Sequence, residues 1–262
     1  MKYLYLFALI SLVACNNSDE KAPGPTGSSK EETLQEAIRQ YPDSALLKEN
    51  LVQYYREGGN YDKAISTVAA QLQKDSLNAR WWDIQATLYY ENGDTMKSIR
   101  SFENAVRIYP DPAYIISLGT LYAQTRDPQA LAIGDALLLG SKANADKEAY
   151  FIKGLYYAYI GSPEKAIPFY DKCIALNYSF MDAYREKAIA LYDMKRYLDA
   201  LQVLDKALTL QNNFDEGYYY RGRCLEKLGK PLEAIEAYQM ALLYDPEYAE
   251  AKEALANLGV KK

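Results

Sequence analysis

Small and apolar residues return along this chain with a step of 34. Ala64, Ser98, Ala132, Ala166, Ala200 and Ala234 mark one series. Val68, Phe102, Ala136, Tyr170, Leu204 and Tyr238 follow four residues later, and Gln71, Ala105, Leu139, Cys173, Ala207 and Ala241 three beyond those. The other half of each unit carries its own set. Trp82, Ala86 and Tyr89 return as Tyr150, Gly154 and Tyr157, then as Tyr184, Ala188 and Leu191, then as Tyr218, Gly222 and Leu225. Positions four and seven residues apart share one face of a helix, so each unit predicts two helices rather than strands.

Turn chemistry separates the two. Gly58-Gly59-Asn60, Asn92-Gly93-Asp94, Gly161-Ser162-Pro163 and Leu228-Gly229-Lys230-Pro231 put Gly where a first helix ends and Pro where a second begins. Pro110 and Pro246, with Pro42 before them, stop second helices. The small residues let two crossing helices approach, while Tyr, Trp or Phe fills the adjoining groove. The frame gives six units: 45–78, 79–112, 113–146, 147–180, 181–214 and 215–248.

A 34-residue period with large–small–aromatic spacing in one half, and Ala followed by a bulky residue in the other, resembles the tetratricopeptide repeat (TPR). The resemblance implies an all-α fold, a right-handed α-solenoid of antiparallel helix pairs. Six units fill residues 45–248. Residues 31–44 read as an N-terminal half-repeat built on Leu34, Ala37 and Ile38, and 249–262 as a capping helix and tail. The unit 113–146 is irregular: Leu118, Gly119 and Tyr122 come one residue early, whereas Ala132 and Ala136 are back in frame. Either the stacking angle changes there or the sequence has drifted without consequence.

The first 15 residues differ in kind. Lys2 gives a positive start, Tyr3 to Val13 is apolar apart from Ser11, and Leu12-Val13-Ala14-Cys15 follows. The run is too short to span a bilayer and reads as a signal peptide. Its last four residues resemble a bacterial lipobox, which implies a diacylglyceryl and palmitate-bearing Cys15 that anchors the chain in a lipid bilayer. Residues 16–30, rich in Gly, Pro and Ser, read as a disordered tether. No Asp follows Cys15, as in lipoproteins sorted to the outer membrane, and Ser18-Asp19-Glu20 resembles a short acidic export tag. The expected location is the bacterial cell envelope, on the outer membrane, with the face left open.

Composition narrows the chemistry. The chain has no His, which removes the commonest catalytic base and transition-metal ligand, and it has no CxxC and no phosphate-binding Gly loop. Cys173 and Cys224 read as buried structural thiols. With a net charge of −5 and dispersed Lys and Arg, nothing resembles a nucleic-acid footprint. Most of the 26 Tyr fall at packing positions such as 55, 89, 157, 170 and 238. No enzyme, metal or cofactor is expected.

In the TPR family the first helices line a concave groove with positions 2, 5, 9, 12 and 13 of each unit. The resemblance puts Asp83, Thr87 and Tyr90 there, then Phe151, Leu155 and Tyr159, then Arg185, Ile189 and Tyr192, then Tyr219, Arg223 and Glu226. Aromatic and Arg side chains suit an extended or helical segment of a protein partner. The Lys/Asn set that clamps a C-terminal carboxylate in some members is not present, since Glu49 and Gln53 stand where it would begin. The expected function is a membrane-anchored interaction scaffold or assembly factor. The alternative is a surface glycan- or ligand-binding lipoprotein that uses exposed Tyr and Trp81 as stacking platforms.

Overall fold

The computed structural model describes residues 29–140 and 145–260. The signal segment, Cys15 and most of the tether lie outside the described residues. Within them the chain is helical, with fourteen helices and no strand. They are α1 (Lys30–Gln40), α2 (Ala45–Glu57), α3 (Tyr61–Lys74), α4 (Ala79–Glu91), α5 (Thr95–Ile108), α6 (Pro112–Gln124) and α7 (Gln129–Leu139). Then follow α8 (Asp146–Tyr159), α9 (Pro163–Leu176), α10 (Met181–Asp193), α11 (Tyr197–Leu210), α12 (Asp215–Lys227), α13 (Pro231–Tyr244) and α14 (Ala249–Asn257).

The chain divides into two compact units, Met1–Tyr54 and Tyr55–Lys262. In the first, α1 opens on a capping box. Ser29 Oγ accepts from the Glu32 N–H at 3.2 Å, and Glu32 Oε2 accepts from the Ser29 N–H at 2.9 Å. The expected tether therefore ends earlier than residue 30: Ser29 and Lys30 belong to the start of α1, because the Ser-x-x-Glu pattern satisfies helix donors that would otherwise need water.

In the second unit each helix packs on the next from α3 to α14. The second helices begin at 61, 95, 129, 163, 197 and 231, a step of 34 throughout. Asn60 and Asp94 cap two of them by accepting from the Lys63 and Lys97 N–H groups, and Pro163 and Pro231 open two others. The residue before each cap turns left-handed: φ is +68° at Gly59, +80° at Gly93, +77° at Gly161 and +73° at Gly229. Lys195 takes that place in the fifth unit at φ 60°, without the steric freedom of Gly.

Ala64, Ser98, Ala166, Ala200 and Ala234 are fully buried where helices cross. Opposite them sit matched pairs. Tyr170 and Tyr238 lie against Gly154 and Gly222 so closely that a Cβ would fall 2.6 Å and 2.5 Å from the ring Cε1 atoms. Phe102 and Leu204 share their cores with Ala86 and Ala188 instead. The bulk of one helix is balanced by the smallness of the other, unit by unit. A further regularity runs along the repeats: Lys63, Lys97 and Lys165 lie over the rings of Tyr55, Tyr89 and Tyr157 at 5.1, 5.3 and 5.9 Å.

The third unit corrects the frame. Ala132 and Ala136 are exposed and Leu139 is 85% exposed, while α7 buries Ala130, Gly134 and Leu137, each two residues earlier. The reason is the neighbour. Besides packing on α7, α6 packs directly on α8, and Gly119 makes the approach possible. A Cβ there would meet Ile133 of α7 and Ile152 of α8, each at 2.8 Å. Gly134 in turn lies under Lys153 and the Ala149 carbonyl of α8. We expect Ala132→Leu to leave stability within about 0.5 kcal/mol, as for an ordinary surface change. Urea unfolding followed by circular dichroism tests this, since a helix in the 34-residue frame would instead be overpacked.

Cys173 and Cys224 are free and buried, and burial pushes both thiols up to about 12. The Cys173 thiol donates to the Lys147 carbonyl at 3.2 Å. Both are packing residues, held away from the thiolate form that reacts. No helix among the described residues is long and apolar enough to cross a membrane.

Candidate interaction face

The first helices form one layer. Successive contacts run from α6 to α8, α8 to α10 and α10 to α12, whereas no pair of second helices meets as extensively among the described residues. Side chains on the free side of this layer make a continuous face. Its exposed aromatics include Tyr90 at 47% and Tyr159 at 42%. Burial, then the nearby charges of Glu186 and Tyr90, raises the Tyr159 phenol above its usual range. Groups on α4, α8 and α10 thus lie near enough to act on one another electrostatically, although about a hundred positions separate the outermost.

Two arginines are held by the chain itself. Arg185 on α10 pairs with Glu216 of α12 at 2.6 Å, with Asp182 at 2.9 Å and with Glu186 at 3.1 Å. Burial works against the Arg185 charge, yet these carboxylates keep its pKa above the ordinary value. Burial raises the Glu186 carboxyl despite the pull of Arg185. Arg223 on α12 has three rings around its guanidinium instead: Tyr192 at 4.6 Å, Tyr220 at 5.7 Å and Tyr219 at 5.9 Å. Tyr219 also packs against Tyr248 with ring centroids 4.9 Å apart. Below this cluster an open pocket of about 310 Å³ is lined by Tyr192, Tyr219, Arg223, Glu226, Glu250 and Glu253 among others.

The expected groove residues divide accordingly. Tyr90, Tyr159, Arg185, Tyr192, Tyr219 and Arg223 belong to this face, and Ile189 is half-buried beside them. Leu155 does not belong: it is 4% exposed and sits in the core shared by α6, α7 and α8, because direct packing of α6 on α8 covers it. Phe151 spends its ring on packing, between Phe180 at 5.0 Å and Tyr170 at 6.0 Å. Asp83 is paired with Arg80 at 3.1 Å on its own helix. Trp81 is 5% exposed and cannot serve as a stacking platform, and Trp82 donates its indole N–H to the Ser76 carbonyl.

Four residues that complete the face, Glu186, Glu216, Tyr220 and Tyr248, were not among those expected. A signal for three of them lay in the 34-residue frame. Glu148, Asp182, Glu216 and Glu250 form a carboxylate series at position 2 of four successive first helices. Position 6, occupied by Glu186 and Tyr220, stands one turn from positions 2 and 9 and so shares their side of the helix.

Models of the tetratricopeptide repeat match residues 31–79, 147–180 and 216–248. Solved structures share the fold. One is a tetratricopeptide repeat protein from Parabacteroides merdae ATCC 43184, at 20% identity and TM-score 0.73, covering 88% of this chain and 91% of that one. Another is PilW, a widely conserved type IV pilus biogenesis factor, at 22% identity and TM-score 0.63, covering 80% of this chain and 97% of that one. A third is the APC/C hetero-tetramer Cut9-Hcn1, at 16% identity and TM-score 0.59, covering 87% of this chain and 46% of that one. Comparison with curated proteins finds no match.

Proposed function

Since the chain is a tetratricopeptide-repeat protein, we propose that the first-helix face is a docking surface for a protein or peptide partner. On this reading the chain is an interaction scaffold or assembly factor of the bacterial cell envelope. The single observation behind the docking surface is the placement of the tyrosines. Most large aromatics of the first helices are spent on packing, yet Tyr90 and Tyr159 are left open near one another and near the Arg185–Glu186 cluster. Tyr and Arg side chains supply most of the binding energy at protein interfaces. Related folds do such work: the Cut9 structure is that of a complex with Hcn1, and PilW is a biogenesis factor.

The envelope assignment rests on the sequence. Residues 1–15 resemble a lipoprotein signal peptide, and an acylated Cys15 followed by a polar tether would hold the repeats beside a bilayer, with the outer membrane as destination. Site-specific photo-crosslinking in the native host tests the docking surface. A benzophenone amino acid placed at Tyr90 or Tyr159 should yield discrete adducts with one partner protein. The same probe at Leu232, 77% exposed on second helix α13, should yield none. Equal adducts from both faces, or none from either, would rule out this face.

A further inference from the structure

We infer that the partner segment seated on this face is basic, rich in Arg, and bound at the C-terminal end between α10, α12 and α14. The inference rests on the docking reading above and adds the chemistry of the occupant. The face already binds guanidinium groups of its own chain in two ways. Arg185 sits in a cage of three carboxylates, and Arg223 is enclosed by three tyrosine rings. Both are arrangements that select a planar cation.

Once those two internal cations are satisfied, acceptors remain. Glu250 and Glu253 are exposed on α14 and face the open pocket beside Tyr219. Neither forms an ion pair among the described residues. Of the pocket's charged groups, only Arg223 and Lys227 are cationic, against the carboxylates of Glu226, Glu250 and Glu253, and Arg223 is already turned onto its rings. The pocket, about 310 Å³, has room for one long side chain with its charged end among these carboxylates and its methylenes along the Tyr219 and Tyr192 rings. An acidic segment would meet a lining of net negative charge, and a purely apolar one would bury the carboxylates without partners. Charge complementarity thus points to a basic segment.

The test uses the full-length protein and three dodecapeptides that alternate Ser with Arg, with Glu or with Gly. Fluorescence anisotropy should show binding of the Arg peptide alone, weakened by added salt as expected for exposed charges. Glu250→Gln with Glu253→Gln should weaken that binding about fivefold, the scale of two exposed ion pairs. Glu164→Gln with Glu236→Gln, exposed on second helices, removes the same charge and should leave affinity unchanged. Tighter binding of the Glu or Gly peptide, or equal weakening by both double variants, overturns the inference. Crosslinks from Tyr159 to a partner that lacks basic segments would defeat it while leaving the docking reading intact. Absence of any crosslink would defeat the reading itself.

Discussion

Gly222→Ala is expected to lower stability by about 2 kcal/mol, and Tyr238→Leu in the same chain to restore much of the loss. An Ala in mid-helix normally gains about 1 kcal/mol over Gly, so a net loss requires a specific clash. The clash is visible: the added Cβ would lie 2.5 Å from Tyr238 Cε1 and 2.7 Å from Cδ1. The ring cannot swing away, because it is 1% exposed and its hydroxyl donates to Glu226. Overpacking of this kind costs about 1–3 kcal/mol, and a contact this short belongs at the upper end. Leu in place of Tyr238 recreates the pairing that Ala188 and Leu204 use in the preceding unit. The measurement is a double-mutant cycle by urea unfolding. A favourable coupling of about 1 kcal/mol or more is expected for residues in contact, and simple additivity would refute the matched-pair account.

Cys15→Ser is expected to abolish acyl anchorage and the maturation that depends on it. Each buried methylene contributes about 0.8 kcal/mol, and stable anchoring takes more than one acyl chain, so loss of the acylated residue removes the whole effect. The repeats offer no substitute, as their apolar faces are buried against one another. Labelling with radioactive palmitate should mark the native chain and not the variant, which should also retain its signal segment and migrate as the larger precursor. A chain beginning at residue 19 should be water-soluble and helical. A variant that still matured and fractionated with membranes would defeat the lipobox reading.

The helices were legible because their code is redundant. Ala166 and Ala200 are each flanked by a bulky residue four positions on and a small one seven on, and all of these are buried where the period places them. The register of α7 was not legible, for a physical reason. Its sequence, Gln-Ala-Leu-Ala-Ile-Gly-Asp-Ala-Leu-Leu-Leu, has a small residue at 130, 132, 134 and 136. A slip of two residues therefore exchanges Ala for Ala at one crossing and Ala for Gly at the next. Only the contact between α6 and α8 settles the matter, and a contact between distant helices leaves no mark on local spacing. The face was legible to the same depth. Positions 5, 9 and 12 found Arg185 and Arg223, but nothing in their spacing showed that Glu216, 31 residues on, would claim Arg185.

Helical arrays are ordinarily linear chains in the mechanical sense, in which detaching one helix severs everything beyond it. The contact of α6 with α8 gives the stack a second load path around α7. Amide protons of α7 can then exchange with solvent through an opening confined to that helix, while the helices on either side remain clasped through Gly119 and Ile152. A pulling force along the array would likewise bypass α7, which stays unloaded for as long as α6 and α8 hold together.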